Sequence, residues 1–442
     1  MHTINTRIIL FSVIGVVVLI FLLILSGVIP GLKSNNPKTE GPSGTINMWV
    51  IQDRQSAYEA AIKKFTDVYP GIRISFRTFP DETTYRNALL EGFATNQGPD
   101  IFLVDNASVL RDANKIEPLP KQKMSLLQLQ NFFPRVVERD FVSKDGRIFG
   151  IPLSIDTLVM IYNKDIFDTE QIAEVPKTWE EFNAIVPKIT KIEGGTRITR
   201  AGAAIGGSEK NIERASDLLQ LIMMQSGVSM MKASPFSASF SPSGEDALRF
   251  YVGFSNAKNS AYTWNSIMPS AIDSFAEGKT AILFDYASSL DTIRNKNQWI
   301  HAGIAPVPYP AQTKCQNEYE CRTAYARYYG YTVSKQSELK SVAWDLVLFM
   351  TTQSDTAGDY MTKTKKPPAL RFLIGQTSQD PELGVQAAQA LIAKSWQQPD
   401  RDAVSSLFSE AIDLVISGKK DVSSALRQTQ DGVNQLIKEK GL

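Results

Sequence analysis

The sequence predicts an α/β chain organised as two lobes, and three observations carry that prediction. The chain has 442 residues, more than a single hydrophobic core usually serves. Between Ile46 and Val104 it alternates strand-like and helix-like stretches, the order of a parallel sheet with right-handed crossovers. The stretch "GPDIFLVDN", Gly98–Asn106, sets a continuous apolar run between a turn and two polar residues, the pattern of a strand covered on both faces.

The elements follow in order. "GTINMWVIQD" begins a strand at about Ile46. Tyr58, Ala61, Ile62, Phe65, Val68 and Tyr69 then share one helical face, and Pro70-Gly71 stops that helix. Ile72, Ile74 and Phe76 alternate as a second strand. Tyr85, Leu89 and Phe93, four apart, mark a second helix before the strand Asp100–Val104. In open α/β sheets ligands bind beyond the carboxyl ends of the strands. Trp49, Asp53, Asp105 and Asn106 fall at such ends, so they are expected to line one wall of a cleft. Asp and Asn also cap helices well, and both roles stay open for Asp53, Asp105 and Asn106.

Further on, Gly146–Asp168 is unusually apolar and holds two candidate strands, about Ile148–Pro152 and Leu158–Asn163. Thr178 with Glu181 has capping-box spacing for a helix. A helix-rich middle follows, with Ser243 as a candidate cap. Next come a strand at Thr280–Phe284, a short strand running into the prolines of "HAGIAPVPYP", and a strand and helix in "YYGYTVSKQSELKSVAWDLVLFM". Two helices joined near Gly418 close the chain.

Composition narrows the function. Apolar residues make up 43% and charged residues 21%, with a formal net charge of +1, so no bulk field recruits a nucleic acid. The two histidines, His2 and His301, and the two cysteines, Cys315 and Cys321, do not complete a zinc ligand set, and no cofactor is expected. Met223, Met224, Met230 and Met231 read as core filler.

Ile8–Ile29 carries no charge. At about 1.5 Å per residue it spans about 33 Å, enough for a bilayer. Residues 1–29 are therefore expected to be an N-terminal membrane anchor or a signal segment. Residues 30–44, rich in Pro, Gly, Ser and Asn, are expected to be a flexible linker. Either reading places residues 45–442 outside the cytoplasm, anchored or secreted. In an exported chain Cys315 and Cys321 are expected to close a small disulfide loop.

Taken in order, these segments are familiar. "INMWVIQDRQSAYEAAIKKFTDVYPGIRISF", "GPDIFLVDN", "FGIPLSIDTLVMIYNKDIF" followed by "PKTWEEF", "SFAEGKTAILFDYAS", "GIAPVPYP" and "GYTVSKQSELKSVAWDLVLFM" together resemble the extracellular solute-binding proteins of bacterial ABC importers. The resemblance is to the sugar- and oligosaccharide-binding, maltose-binding-protein-like branch. It implies a two-lobed periplasmic-binding-protein-like α/β fold, each lobe a mixed, mostly parallel sheet flanked by helices. Crossing strands would lie near Ile151–Asp156, Ala305–Pro308 and Thr351–Asp355. One lobe would be 45–153 plus 308–350, the other 156–303 plus 354–442. The implied function is capture of a sugar-like solute between the lobes and delivery to an ABC permease, by a non-catalytic monomer.

A sugar presents hydroxyls and an apolar face, so its site needs aromatic platforms and planar polar groups. Trp49, Trp264, Tyr286, Tyr329 and Tyr331 are the candidate platforms, each with core packing as the alternative. Asp53, Asp105, Asn106, Asp156 and Asp285 are the candidate polar partners. Asp156 stands out, since a carboxylate inside an apolar segment needs a partner. The family's frequent stacking tryptophan after "EGKTAILF" is absent; Asp285-Tyr286-Ala287-Ser288 stands there. Two rival readings are a solute sensor working through a membrane partner, and a glycosidase using a carboxylate pair such as Asp53 and Asp156 at the spacing that chemistry requires.

Overall fold

A computed structural model describes residues 41–195, 197–311 and 322–442. The N-terminal segment and the Cys315–Cys321 loop lie outside the described residues. Among the described residues no helix is long and apolar enough to cross a membrane.

Two mixed sheets form the framework. The first has the order β2-β1-β3-β13-β4. In it β1 (Gly44–Ile51) pairs in parallel with β2 (Ile72–Phe79) and β3 (Ile101–Asp105). The late strand β13 (Tyr329–Ser334) runs antiparallel to β3 and to β4 (Ile116–Glu117). All five residues of β3 are buried, as a strand covered on both faces requires. The second sheet is built around β5 (Asp156–Asn163), which pairs antiparallel with β10 (Ile282–Tyr286), β11 (Ala302–Pro306) and β12 (Ala324–Arg327). The short β14 (Ala393–Lys394) adds a parallel edge to β12. This sheet is thus mainly antiparallel rather than mostly parallel. Two hairpins, β6–β7 (Lys191–Glu193, Arg197–Arg200) and β8–β9 (Met231–Ala233, Phe236–Ala238), decorate it.

Each sheet has its own hydrophobic cluster. The first gathers Ile46, Phe65, Phe102, Phe141, Trp344 and Val347; the second gathers Ile161, Phe182, Leu218, Trp264, Phe284 and Phe408. Thr178 and Glu181 form the capping box that starts the helix Trp179–Ile189. Met223, Met224 and Met230 are buried in the second cluster, as core filler. Ser243 does not cap the helix Glu245–Gly253; Gly244 holds that position.

The chain passes between the sheets where residues of the two clusters adjoin. One passage is at Ile151–Asp156: Ile151 bridges Tyr331 of the first sheet, and β5 begins at Asp156. The second is at Arg327–Tyr329, between β12 and β13, and not at Ala305–Pro308. Ala305 and Pro306 are paired with β5 inside the second sheet, and Val307 is in its cluster. The third is at Ala393–Trp396, with Ala393 in the first cluster and Trp396 in the second. No passage occurs at Thr351–Asp355, because Ala357, Tyr360, Leu373 and Ala387 pack with the first cluster. A run of apolar helix and a pair of prolines look alike in sequence whether they cross between cores or stay in one.

Candidate functional site

The carboxyl ends of β1 and β10 and the start of β5 bring ionic groups from both halves together. Asp156, first residue of β5, accepts from the Thr157 N–H at 2.8 Å through one oxygen; the other has no protein hydrogen-bond partner among the described residues. Burial is the largest cause that pushes its carboxyl up to about 7, and the nearby Asp285 charge adds to it, against the backbone hydrogen bond, Lys366 and Arg214. Asp285, on β10, is buried and accepts from Arg214 Nε at 3.0 Å and from the Tyr286 N–H at 2.7 Å. Its carboxyl is also raised, by burial, with Arg214 opposing.

The first sheet contributes the facing wall. Gln52 ends the first strand with a left-handed backbone (φ 61°), which turns the chain sharply before Asp53. One oxygen of Asp53 accepts from Tyr58 Oη at 2.9 Å and Tyr360 Oη at 2.7 Å; the other accepts from Lys366 Nζ at 2.6 Å. Both oxygens of Asp53 are therefore already hydrogen-bonded within the protein. Tyr331 shares a 2.7 Å hydroxyl contact with Tyr58 and is buried. Glu82, first residue of the helix Glu82–Ala94, accepts from Arg327 Nη2 at 2.9 Å and from Tyr329 Oη at 2.8 Å. A cavity of about 420 Å³ lies between the halves here, lined by Gln52, Asp156, Ser288, Asp291, Arg294 and Lys366.

The other residues singled out in the sequence are used differently. Trp49 packs in the first core, 5.3 Å from the Phe79 ring and with the Arg77 guanidinium 4.8 Å from its own ring. Trp264 is fully buried in the second core. Neither is a platform, because each indole is consumed in burying the sheet it belongs to. Tyr286 is 4% exposed. Its hydroxyl donates to Asp217 at 2.8 Å, and the Arg214 guanidinium lies 5.3 Å from its ring, so in this conformation its face is not open for stacking.

Asp105 and Asn106 do not line this cavity; Asp105, with Glu82 and Tyr329, lines a separate one of about 270 Å³. Asp105 is clasped by Arg401, from Nε at 3.0 and 3.1 Å and from Nη2 at 3.0 Å, and both side chains are 5% exposed. The Asp105 carboxylate also accepts the Ala107 N–H at 2.9 Å, a local turn rather than a helix cap. Asn106 accepts from Arg401 Nη2 and from the Tyr328 N–H, and donates to Asp140 Oδ2 at 2.9 Å. The end of β3 therefore ties the second and third passages to the first sheet. His301 is exposed and pairs with Asp165, far in role from any triad.

Sequence reasoning missed Glu82, Arg214, Arg327, Lys366 and Arg401. A signal existed for Arg327, a charge inside the otherwise apolar "AYARYYGY". Arg401 and Lys366 lay in polar stretches that carry no such mark.

Residues 60–382 match the model of the bacterial extracellular solute-binding protein family. The maltotriose-binding protein of Pyrococcus abyssi is 27% identical over 155 residues, 34% of this chain and 32% of that one. The chain thus matches only about a third of that relative's length. The galactooligosaccharide-binding protein of Bacillus subtilis is 21% identical over 431 residues, 92% of this chain and 93% of that protein. Among solved structures, the sugar-binding protein MalE of Xanthomonas citri superposes with a TM-score of 0.72 at 16% identity, covering 90% of this chain and 98% of that one. A Listeria monocytogenes substrate-binding protein in complex with cycloalternan gives 0.68 at 18% identity, over 91% and 100%. At these identities the structures establish the fold, an α/β periplasmic-binding-protein fold. With the family model matched over well over half its length, this chain belongs to the bacterial extracellular solute-binding proteins.

Proposed function

We propose that this protein captures a carbohydrate between its two halves and hands it to an ABC transporter permease. The observation that carries this reading is the convergence of ionic groups from both sheets on one cleft. Asp156 and Lys366, the latter paired with Asp53, line the cavity, and the Asp285–Arg214 pair acts on Asp156 electrostatically, while Glu82 and Tyr329 line a separate cavity of about 270 Å³. Charged planar groups that are already paired hold a fixed geometry and offer their remaining donors and acceptors to hydroxyls. Relatives named for maltotriose, arabinooligosaccharides and galactooligosaccharides support a saccharide.

Asp156, Asp285 and Tyr329 are the proposed ligand contacts, with Asp53 and Tyr331 as their support. Residues 1–29 act as the membrane anchor, 30–44 as the tether, and Cys315–Cys321 as a disulfide staple in the exported part. The two lobes are the halves built on the first and second sheets. Thermal-shift and calorimetric titration with maltotriose, arabinotriose and galactobiose test the proposal. Saturable binding of one of them that is weakened in Asp285→Ala supports it; no binding across the panel by folded protein contradicts it.

A further inference from the structure

The helix Arg135–Phe141 buries Val136, Val137, Asp140 and Phe141 on one face. An aspartate on an apolar face is costly unless it is fully partnered. Asp140 is 5% exposed and is held by three side-chain donors. Asn106 Nδ2 donates to Oδ2 at 2.9 Å, Tyr328 Oη donates to Oδ2 at 2.8 Å, and the Ser395 hydroxyl donates to Oδ1. Tyr328 lies in the second passage between the halves and Ser395 in the third. One carboxylate therefore binds two of the three passages to the first sheet. Gln397, also in the third passage region, adds donors to the Asn106 and Asp140 backbone carbonyls at 2.8 and 3.2 Å.

Asp140 also lines a groove between the halves. The groove is about 970 Å³, bounded by Arg139, Asp140 and Lys144 from the first half and by Met230, Ser395 and Trp396 beyond it. Ser395 and Asp140 thus meet on the lining of this groove, where the two halves adjoin.

We propose that Asp140 is a positioning residue of the hinge: it touches no solute, yet it sets how the two halves are held and so the fraction of molecules competent to bind. Apparent affinity scales with that fraction, so loosening the pin alters binding without touching the cleft. The charged and titratable groups around it are Arg401 and Tyr328, which face its carboxylate, Arg139 beside it on the same helix, and Asp105 behind Tyr328 and Arg401. Burial pushes the Asp140 carboxyl up to about 6, against the hydrogen bonds from Ser395, Asn106 and Tyr328 and the charge of Arg401. In the pinned arrangement Asp140 keeps a proton that a solvent-exposed carboxyl would lose, so the pin is firmest below about pH 6 and weakens as pH rises through that value.

The test is hydrogen–deuterium exchange of the full-length protein in detergent, without solute, at pH 5.0 and 7.5, corrected for intrinsic exchange. Peptides covering 324–331 and 393–398 are read for wild type, Asp140→Asn and Ser395→Ala. Wild type is expected to exchange there about tenfold faster at pH 7.5 than at pH 5.0, the effect of losing a proton held with a pKa of about 6. Asp140→Asn, which cannot titrate, should exchange at the same rate at both pH values, and Ser395→Ala, which removes one donor to the carboxylate, should exchange faster than wild type at pH 7.5. Should Asp140→Asn lose protection throughout the chain, the wild-type pH response and Ser395→Ala decide. Equal protection of the passages at both pH values, or wild-type protection in Ser395→Ala, overturns the proposal. Because no solute is added, this outcome is independent of whether the protein binds a carbohydrate.

Discussion

Replacing Arg401 by Met probes the buried ion pair that anchors the third passage. Arg401 directs three hydrogen bonds to Asp105 and one to Asn106, and both charged side chains are 5% exposed. The substitution keeps much of the apolar stem and removes the cation, so Asp105 is left buried beside Tyr328 and Asn106 without its counter-charge. Removing one partner of a buried pair typically costs about 3–5 kcal/mol. For a unit of 150–250 residues each kcal/mol moves Tm by about 2–4 °C, so a fall of about 6–20 °C is expected. Differential scanning calorimetry measures it. The second arm is the pair Asp105→Asn with Arg401→Met, in which no charge is stranded. It should recover about half or more of the loss, since paired replacement of buried ions is often close to neutral. Arg401 Nη1 is buried and has no hydrogen-bond partner among the described residues, a cost that the substitution removes, so the loss should sit toward the lower end of the range. A loss below about 1 kcal/mol in the single variant, or no recovery in the double, would refute the view that this pair holds the passage.

Other predictions follow from the same geometry. Asp156 has its folded pKa raised to about 7, so between about pH 4 and 7 the folded state keeps a proton that the unfolded state has lost. Its contribution therefore makes stability fall as pH rises through that window, and Asp156→Asn should flatten the slope in urea titrations run at successive pH values. Tyr360→Phe removes a donor to the Asp53 carboxylate and should cost about 1.5–3 kcal/mol in chemical denaturation. Trp264→Ala should cost about 3–5 kcal/mol in the same assay, with solute affinity retained by the molecules that stay folded. Tyr329→Phe removes a donor to Glu82, which Arg327 still holds, and should weaken solute binding by calorimetry.

Much of the fold was legible because apolar spacing dictates it. The β1–β2–β3 core of the first sheet, the buried Ile101–Asp105 strand and the Thr178 capping box all follow from period and cap chemistry. The passages were harder. Tyr328 and Trp396 carry no local mark of lying between two cores, since each is simply a large aromatic near polar neighbours. The site divided along similar lines. Asp156 was conspicuous as an acid in an apolar run, and it does face the cavity. Asp105 and Asn106 were just as conspicuous, but their partner Arg401 lies nearly three hundred residues away, and only the tertiary structure shows that the pair is closed. Trp49 and Trp264 illustrate the converse: an indole read from sequence alone serves a core or a ligand equally well until packing is known.

The most direct test of the central claim is calorimetric titration of the protein with maltotriose, arabinotriose and galactobiose at pH 7.5, repeated for Asp285→Ala. A carbohydrate-capturing cleft predicts one saturable site for at least one saccharide, with affinity at least about tenfold weaker in the variant, the loss of one hydrogen bond to a charged group. Absence of heat with every saccharide from folded protein, or unchanged affinity in Asp285→Ala, would contradict it.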